Sequence, residues 1–195
     1  MPDFFIFKEV MQMANNSANV SAAKPKAGGA IWWAPAGTAV PTDATTKLAD
    51  AFSSVGYVSE DGLTEKETRT STKMKAWGGD TVAASQTEYD KSYSFNMIET
   101  NETTMKIRYG ASNVTAEGGA VSKVMHNAAE LPEGVWVIEM VIAGKIVRKV
   151  MPRAKIEESG EVKYNDDNLV AYPVTIGLLP DENGNYEIDY YAQVA

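Results

Sequence analysis

The stretch TEKETRTSTKMK, from Thr64 to Lys75, constrains the fold more than any other. It is rich in Thr and in residues that tolerate an extended chain, yet it has no apolar residue before Met74. A strand in a closed domain shows one apolar face at period 2. Here the first apolar groups are Met74, Ala76 and Trp77, just ahead of a turn at Gly78-Gly79-Asp80. Two readings follow from the residues alone. One is a long surface loop. The other is a hairpin polar on both faces, which is unstable by itself and becomes sensible where its faces meet water or a neighbouring subunit.

The segments around it read as a β domain. Ile31, Trp32 and Trp33 suggest a short strand stopped by Pro35 and Gly37. Leu48, Ala51 and Phe52 fit one helical turn, whereas Val55, Tyr57 and Val58 read as strand, with Gly62 closing the unit. Tyr89 to Glu99 is a strand with Tyr93, Phe95 and Met97 on one side. One helix is expected over Asn101 to Tyr109, capped by Thr100 or Asn101, stopped by Gly110 in the left-handed region, and held to a sheet by Met105 and Tyr109. VSKVMHNA reads as a strand and VWVIEMVIAGKIVRKVM as a hairpin turning at Ala143-Gly144 or Gly144-Lys145. RAKIEES follows Pro152, and LVAYPVTIGLLPDENGNYEIDYYAQV reads as a second hairpin with Asn183-Gly184 at its turn, its last strand alternating Tyr186, Ile188 and Tyr190. Many short strands with one helix give a mainly β fold, a barrel or sandwich with a flanking α-helix.

A chain of 195 residues with 44% hydrophobic content suits one domain with arms. Residues 1 to 30 read as a flexible N-terminal arm, because MANNSANVSAAKPKAGG is small, polar and broken by Pro25, Gly28 and Gly29. Met13 is a second possible start, which would make residues 1–12 an upstream extension. The arm is either a loose terminus or a segment that orders on a neighbour. Residues 31 to 195 form the β domain.

Composition excludes several functions. A net charge of −8 argues against nucleic-acid binding through phosphate neutralisation, and suits a surface that DNA passes without sticking. The absence of cysteine removes disulfides and thiolate chemistry and fits a reducing cytoplasm. No stretch has the roughly 18 apolar residues of a membrane span, and the apolar patch Phe4 to Phe7 lacks the basic lead and continuous core of a signal peptide. Without such a signal, the Asn-x-Ser/Thr sites at Asn15, Asn19, Asn101 and Asn113 read as chance.

No catalytic set stands out, and no cofactor is implied. His126 is the single histidine and sits in a strand pattern, so zinc sites and histidine triads lack parts. No phosphate-cradling glycine motif occurs. DENGNYEID has the outline of a calcium loop at Asp181, Asn183 and Asn185, but Tyr186 stands where glycine is needed, so a hairpin turn explains it better. The chain does not read as an enzyme. A soluble carbohydrate-binding or adhesion β-module, stacking sugars on Trp32, Trp33 and Trp77, is the alternative reading.

The sequence PTDATTKLADAFSSVGYVSEDGLTEKETRTSTKMKAWGGDTV followed by YSFNMIETNETTMKIRYG resembles the major tail proteins, or tail tube proteins, of long-tailed non-contractile bacteriophages, in particular those infecting actinobacteria. The likeness covers roughly residues 28 to 190, and its most specific pieces are VGYVSEDGLT, KAWGGDTV and FNMIETNETTMKIRYG. It implies a tail-tube fold related to the type VI secretion tube. It implies homohexameric rings, stacked into a helical tube in the virion tail, through which DNA is ejected. Assembly would take place in the host cytoplasm with the tape measure, tail terminator and tail-tip proteins as partners. A long loop that reaches the next ring would fall at about residues 60 to 89. Within it the candidate stacking or lumen residues are Glu65, Glu67, Arg69, Lys73, Lys75, Trp77, Gly78, Gly79 and Asp80, with Trp77 as anchor. Candidate inter-subunit residues on the arm are Asn19, Val20, Lys24 and Lys26.

Overall fold

The computed structural model describes residues 15–194. The expectation for residues 1–12 lies outside them. In chain order the strands are β1 (Lys24–Pro25), β2 (Ile31–Pro35), β3 (Ser53–Ser54), β4 (Val58–Lys75) and β5 (Thr81–Met97). The helix α1 (Glu102–Tyr109) follows, then β6 (Val114–Glu117), β7 (Ala120–Val124), β8 (Gly134–Ile142), β9 (Lys145–Ser159), β10 (Tyr172–Leu178) and β11 (Ile188–Gln193). One antiparallel sheet runs in the order β3-β2-β8-β9-β10-β5-β4, and β6 and β7 pair separately.

Strand β9 organises this sheet. Its first half lies between β8 and β11, while its second half pairs with β10. The expected hairpin between β10 and β11 therefore does not form. Both strands pair with β9 instead, and the turn at Asn183-Gly184 lies in the segment that carries the chain from one to the other. RAKIEES is not a separate strand either, because β9 runs through Pro152. Proline has no N–H to give a ladder. Pro152 falls where β11 has already ended at Val150 and β10 begins at Ala154, and where the register with β8 shifts. The β8–β9 turn is at Ala143-Gly144, both at positive φ (49° and 73°), as a two-residue hairpin demands.

The sheet curls around its main core. Tyr93, Phe95 and Met97 of β5, Val174 and Ile176 of β10, Val147 and Met151 of β9, and Trp136 and Ile138 of β8 share one cluster. Phe95 meets Trp136 edge to face at 6.1 Å although two strands separate theirs in the sheet. Strand β8 is buried on both sides. Its alternate residues Val135 and Val137 join Ala34, Phe52 and Val150 in a second cluster, flanked by Trp32, Leu48 and Tyr190.

Beside that second cluster sits an ionic centre. Arg148, 1% exposed, donates to Glu139 at 2.6 and 3.0 Å and to the carbonyls of Asp43 and Thr46 at 2.7 and 2.8 Å. The Asp43 carboxylate accepts from the backbone of Thr45 and Thr46. These bonds accompany bends at residues 43–46, and the turn expected near Leu48 is a single hydrogen-bonded turn at Asp50-Ala51, with the Phe52 N–H bonded to the Ala49 carbonyl, rather than a helix. Lys26 reaches the same Glu139 at 2.8 Å.

Helix α1 forms as its caps predict. Asn101 accepts from the Thr104 N–H at 2.8 Å, and the Gly110 N–H bonds to the Lys106 carbonyl. Gly110 has φ 88° but ψ 137°, outside the left-handed helical region, and leads directly into a 3-10 turn. Met105 and Ile107 face the core, Thr104 donates to the Val55 carbonyl, and Arg108 donates to the carbonyls of Gly160 and Pro173. His126 lies beyond the end of β7, not within a strand, and packs edge-on against Tyr109 at 4.6 Å.

Replacing Arg148 with Ala leaves a buried carboxylate with only Lys26 and removes the donor from two part-buried carbonyls. The expected loss is about 3 kcal/mol, the lower end of the range for breaking a buried pair. Urea unfolding of Arg148→Ala checks this, and an unchanged midpoint would refute the assignment.

Candidate functional site

The polar stretch is a strand. β4 and β5 pair from Lys75–Thr81 at the tip to Val58–Met97 in the body. Gly62 does not close a unit. It lies inside β4, in an irregular part of the ladder between Val58 and Leu63. Only residues 92–97 of β5 have β10 on their other side. Beyond Ser92 the two strands project as a ribbon roughly 35 Å long, at about 3.3 Å per residue. Every residue from Arg69 to Glu88 is exposed, and β4 pairs with no described strand except β5.

The register sorts the ribbon into two faces. Glu65, Glu67 and Arg69 stand opposite Tyr93, Lys91 and Tyr89. Thr64, Lys66, Thr68 and Thr70 stand opposite Ser94, Ser92, Asp90 and Glu88 on the reverse face. A bulge at Thr87, whose hydroxyl donates to the Thr70 carbonyl, shifts the pairing beyond it. Lys73 and Lys75 pair with Ala84 and Thr81, so neither has a carboxylate opposite. At the tip, the Ala76 N–H bonds to Asp80 and the Gly79 N–H to Ala76. Gly78 and Gly79 take φ of 115° and 98°, which a side chain would resist. Trp77 is fully exposed, with Met74 and Val82 exposed nearby.

The ribbon is fastened at its root by charge. Lys91 Nζ sits between Glu65 at 2.7 Å and Glu187 at 2.9 Å. Lys149 of β9 meets Glu187 at 2.8 Å, Asp189 at 3.0 Å and Glu65 at 3.2 Å. Tyr93 donates its hydroxyl to Glu187, whose side chain is 4% exposed. Further out, Arg69 pairs with Glu67 at 2.8 Å and lies 4.4 Å over the Tyr89 ring, which meets Tyr186 edge-on at 4.7 Å. Arg69, Tyr89, Lys91, Asn185, Tyr186 and Glu187 line a cleft of about 350 Å³.

These surroundings set the titrations. Burial by itself raises the Glu65 carboxyl, but Lys91, Tyr93 and Lys149 outweigh it and hold the group at about 2. Burial lowers Lys149, and Glu187 and Asp189 more than reverse this, so its ammonium is retained. Burial, with the Asp189 carboxylate beside it, pushes Glu187 above the usual carboxylate range.

The sequence-derived candidates thus divide. Glu65 is in the root, Glu67 and Arg69 form a pair just beyond it, Lys73 and Lys75 are distal, and Trp77 to Asp80 make the tip. On the arm, Asn19 ends a 3-10 turn and Val20 is exposed. Lys24 pairs with Val141 of the chain's own β8, and Lys26 binds Glu139. Lys91, Lys149, Glu187 and Asp189 belong to no sequence motif, and Tyr93 reads from the sequence only as part of the β5 core face. Their signal is lysine at core-facing parity, Lys91 between Tyr89 and Tyr93 and Lys149 between Val147 and Met151. Among the described residues no group of three or more His, Cys, Asp or Glu could hold a metal, and no helix is long and apolar enough to cross a membrane.

Glu65 is depressed, so its contribution is present above its unfolded value, about 4.3, and is lost as pH falls through about 2. Glu187 is raised, so its term has the opposite sign and fades as pH rises through its folded value. The ribbon root is therefore expected to hold from neutral pH down to about 4 and to loosen below it. Carboxyl-carbon NMR of Glu65, with amide exchange along residues 64–70, checks this. A Glu65 midpoint near 4 would contradict the network.

A family model described as "Phage tail tube protein" matches residues 13–192. A search of curated proteins finds no match. A ribbon with no core of its own, rooted in a one-helix β domain, agrees with what the family match establishes: the chain belongs to the phage tail tube protein family, structural proteins of the virion tail.

Proposed function

We propose that six copies of this chain close into a ring and that rings stack, with the β4–β5 ribbon reaching the next ring, to form the conduit for DNA ejection. The observation that carries this reading is the ribbon itself. From Arg69 to Glu88 it is exposed on both faces, and the outer edge of β4, eighteen residues long, pairs with no described strand. A two-stranded hairpin without a hydrophobic face is marginal in water. Edge pairing and face contacts from neighbouring copies would supply what it lacks. Head-to-tail contacts that close by rotation make the ring, and those along the axis extend it.

Other parts of the chain fit that use. A net charge of −8 suits a lumen that repels phosphates. Residues 1–30 serve as an arm that orders on a neighbour, its described part carrying Asn19 and Val20, while Lys24 and Lys26 tie its end to the chain's own β8. The tape measure, terminator and tail-tip proteins are the further partners, and assembly takes place in the host cytoplasm. The sugar-binding alternative gains no support, since Trp32 and Trp33 are half-buried against the two cores and only Trp77 of its three indoles is open.

The test compares the wild-type chain with a ribbon-shortened variant, residues 71–87 being replaced by a two-residue turn joining Thr70 to Glu88. Negative-stain microscopy should show hollow tubes of regular axial repeat for the wild type and none for the variant. Circular dichroism of the variant should remain that of the folded body. A wild-type chain that stays monomeric even with tail-tip template would end the proposal.

A further inference from the structure

The two ends of the molecule along β5 differ in a complementary way. β5 runs from the ribbon tip at Thr81 to Met97. Tyr172 of β10 pairs with Met97, and Ser159 of β9 pairs with Val174. The connection from β9 to β10, residues 160–171, therefore emerges at the Met97 end, opposite the tip. In a head-to-tail axial stack these are the surfaces that meet.

Each end has exposed apolar groups. The tip has Trp77, Met74 and Val82, and the far end has Tyr57, Tyr164 and Leu169. Isolated exposed apolar residues are ordinary, but matched sets at two opposed ends suit contact between copies. The charges match as well. Among the described residues Lys73 and Lys75 make no ion pair, and Asp80 is the single acid at the tip. The far end carries Glu158 at the end of β9, and Glu161, Asp166 and Asp167 on the connection, against Lys163, all exposed. Its backbone is already ordered. Asn165 accepts from the Asp167 and Asn168 N–H groups, and the Gly160 carbonyl is held by Arg108 of α1. A preformed surface binds with less ordering cost than a loose one.

We propose that the ribbon tip of one copy docks on residues 158–169 of a second copy in the next ring. Lys73 and Lys75 face the carboxylates of Glu158, Glu161, Asp166 and Asp167, and Trp77 packs on Tyr164 and Leu169. This rests on the stacking role given to the ribbon above and adds the surface that receives it.

Charge exchange tests it. Lys73→Glu with Lys75→Glu, and separately Asp166→Lys with Asp167→Lys, should each raise the critical concentration for tube growth at least about tenfold, since like charges then oppose across the contact. The chain carrying all four substitutions should grow at close to the wild-type concentration. All sites are exposed, so the monomers should keep the wild-type melting temperature. Wild-type tubes with neither reversal having an effect would overturn this docking surface and leave the tube itself standing. Folded single-end variants that fail, without recovery in the fourfold variant, would also overturn it. A wild type that forms no tubes with template present would remove both.

Discussion

A two-stranded ribbon with nothing behind it has to be held at its root, and here charge holds it. Glu65, Lys91, Lys149, Glu187 and Asp189 join β4, β5, β9 and β11 at the place where β10 no longer flanks β5. An apolar root would stabilise the chain more, since partly buried ion pairs spend much of their attraction on desolvation. What ions add is direction. Each lysine is met by carboxylates from different elements, so the ribbon cannot swing without separating several pairs together. Arg69 over Tyr89, and Tyr89 against Tyr186, extend that grip one rung outward.

The opposite side of the sheet repeats the device. Arg148 and Glu139 face each other across β9 and β8, gather the carbonyls of residues 43 and 46, and accept Lys26. The two centres lie on neighbouring residues, Arg148 and Lys149, which a strand sends to opposite faces. One binds the segment before β3 and the end of the arm, and the other binds the ribbon. Strand β9 thus contributes a cation to each centre, and it is also the strand that divides its pairing between β10 and β11.

Much of this was legible in the residues. Period-2 placement of Tyr93, Phe95 and Met97 predicted the β5 core face, and Asn101 with Gly110 bounded α1, because these signals are local. Long-range pairing was not legible. Asn183-Gly184 is a good hairpin turn, but nothing nearby in sequence says that β10 and β11 will each prefer β9. Pro152 reads as a strand break unless the gap between those partners is known. The root network was hidden for a related reason. Lys91 and Lys149 look like errors in two apolar alternations until the fold brings them to Glu187. The ribbon was legible as an anomaly, and its ladder follows from the Thr-rich pattern, yet its polarity says only that its partners are elsewhere.

That polarity also bears on solubility. A long free edge invites pairing with any other strand. Along β4 the sequence Glu65-Lys66-Glu67 and the later Arg69, Lys73 and Lys75 set charges of both signs along the strand. Charges on an edge do not prevent pairing. They penalise every register but those in which signs alternate across the new ladder, because like charges placed directly opposite are destabilising. An apolar edge would pair readily and in several registers, and a fully acidic one would repel its own copies. A mixed edge penalises most registers and so stays single at low concentration more readily than an apolar one. The charge pattern of β4 thereby works against indiscriminate edge pairing while leaving the edge able to accept a matched strand.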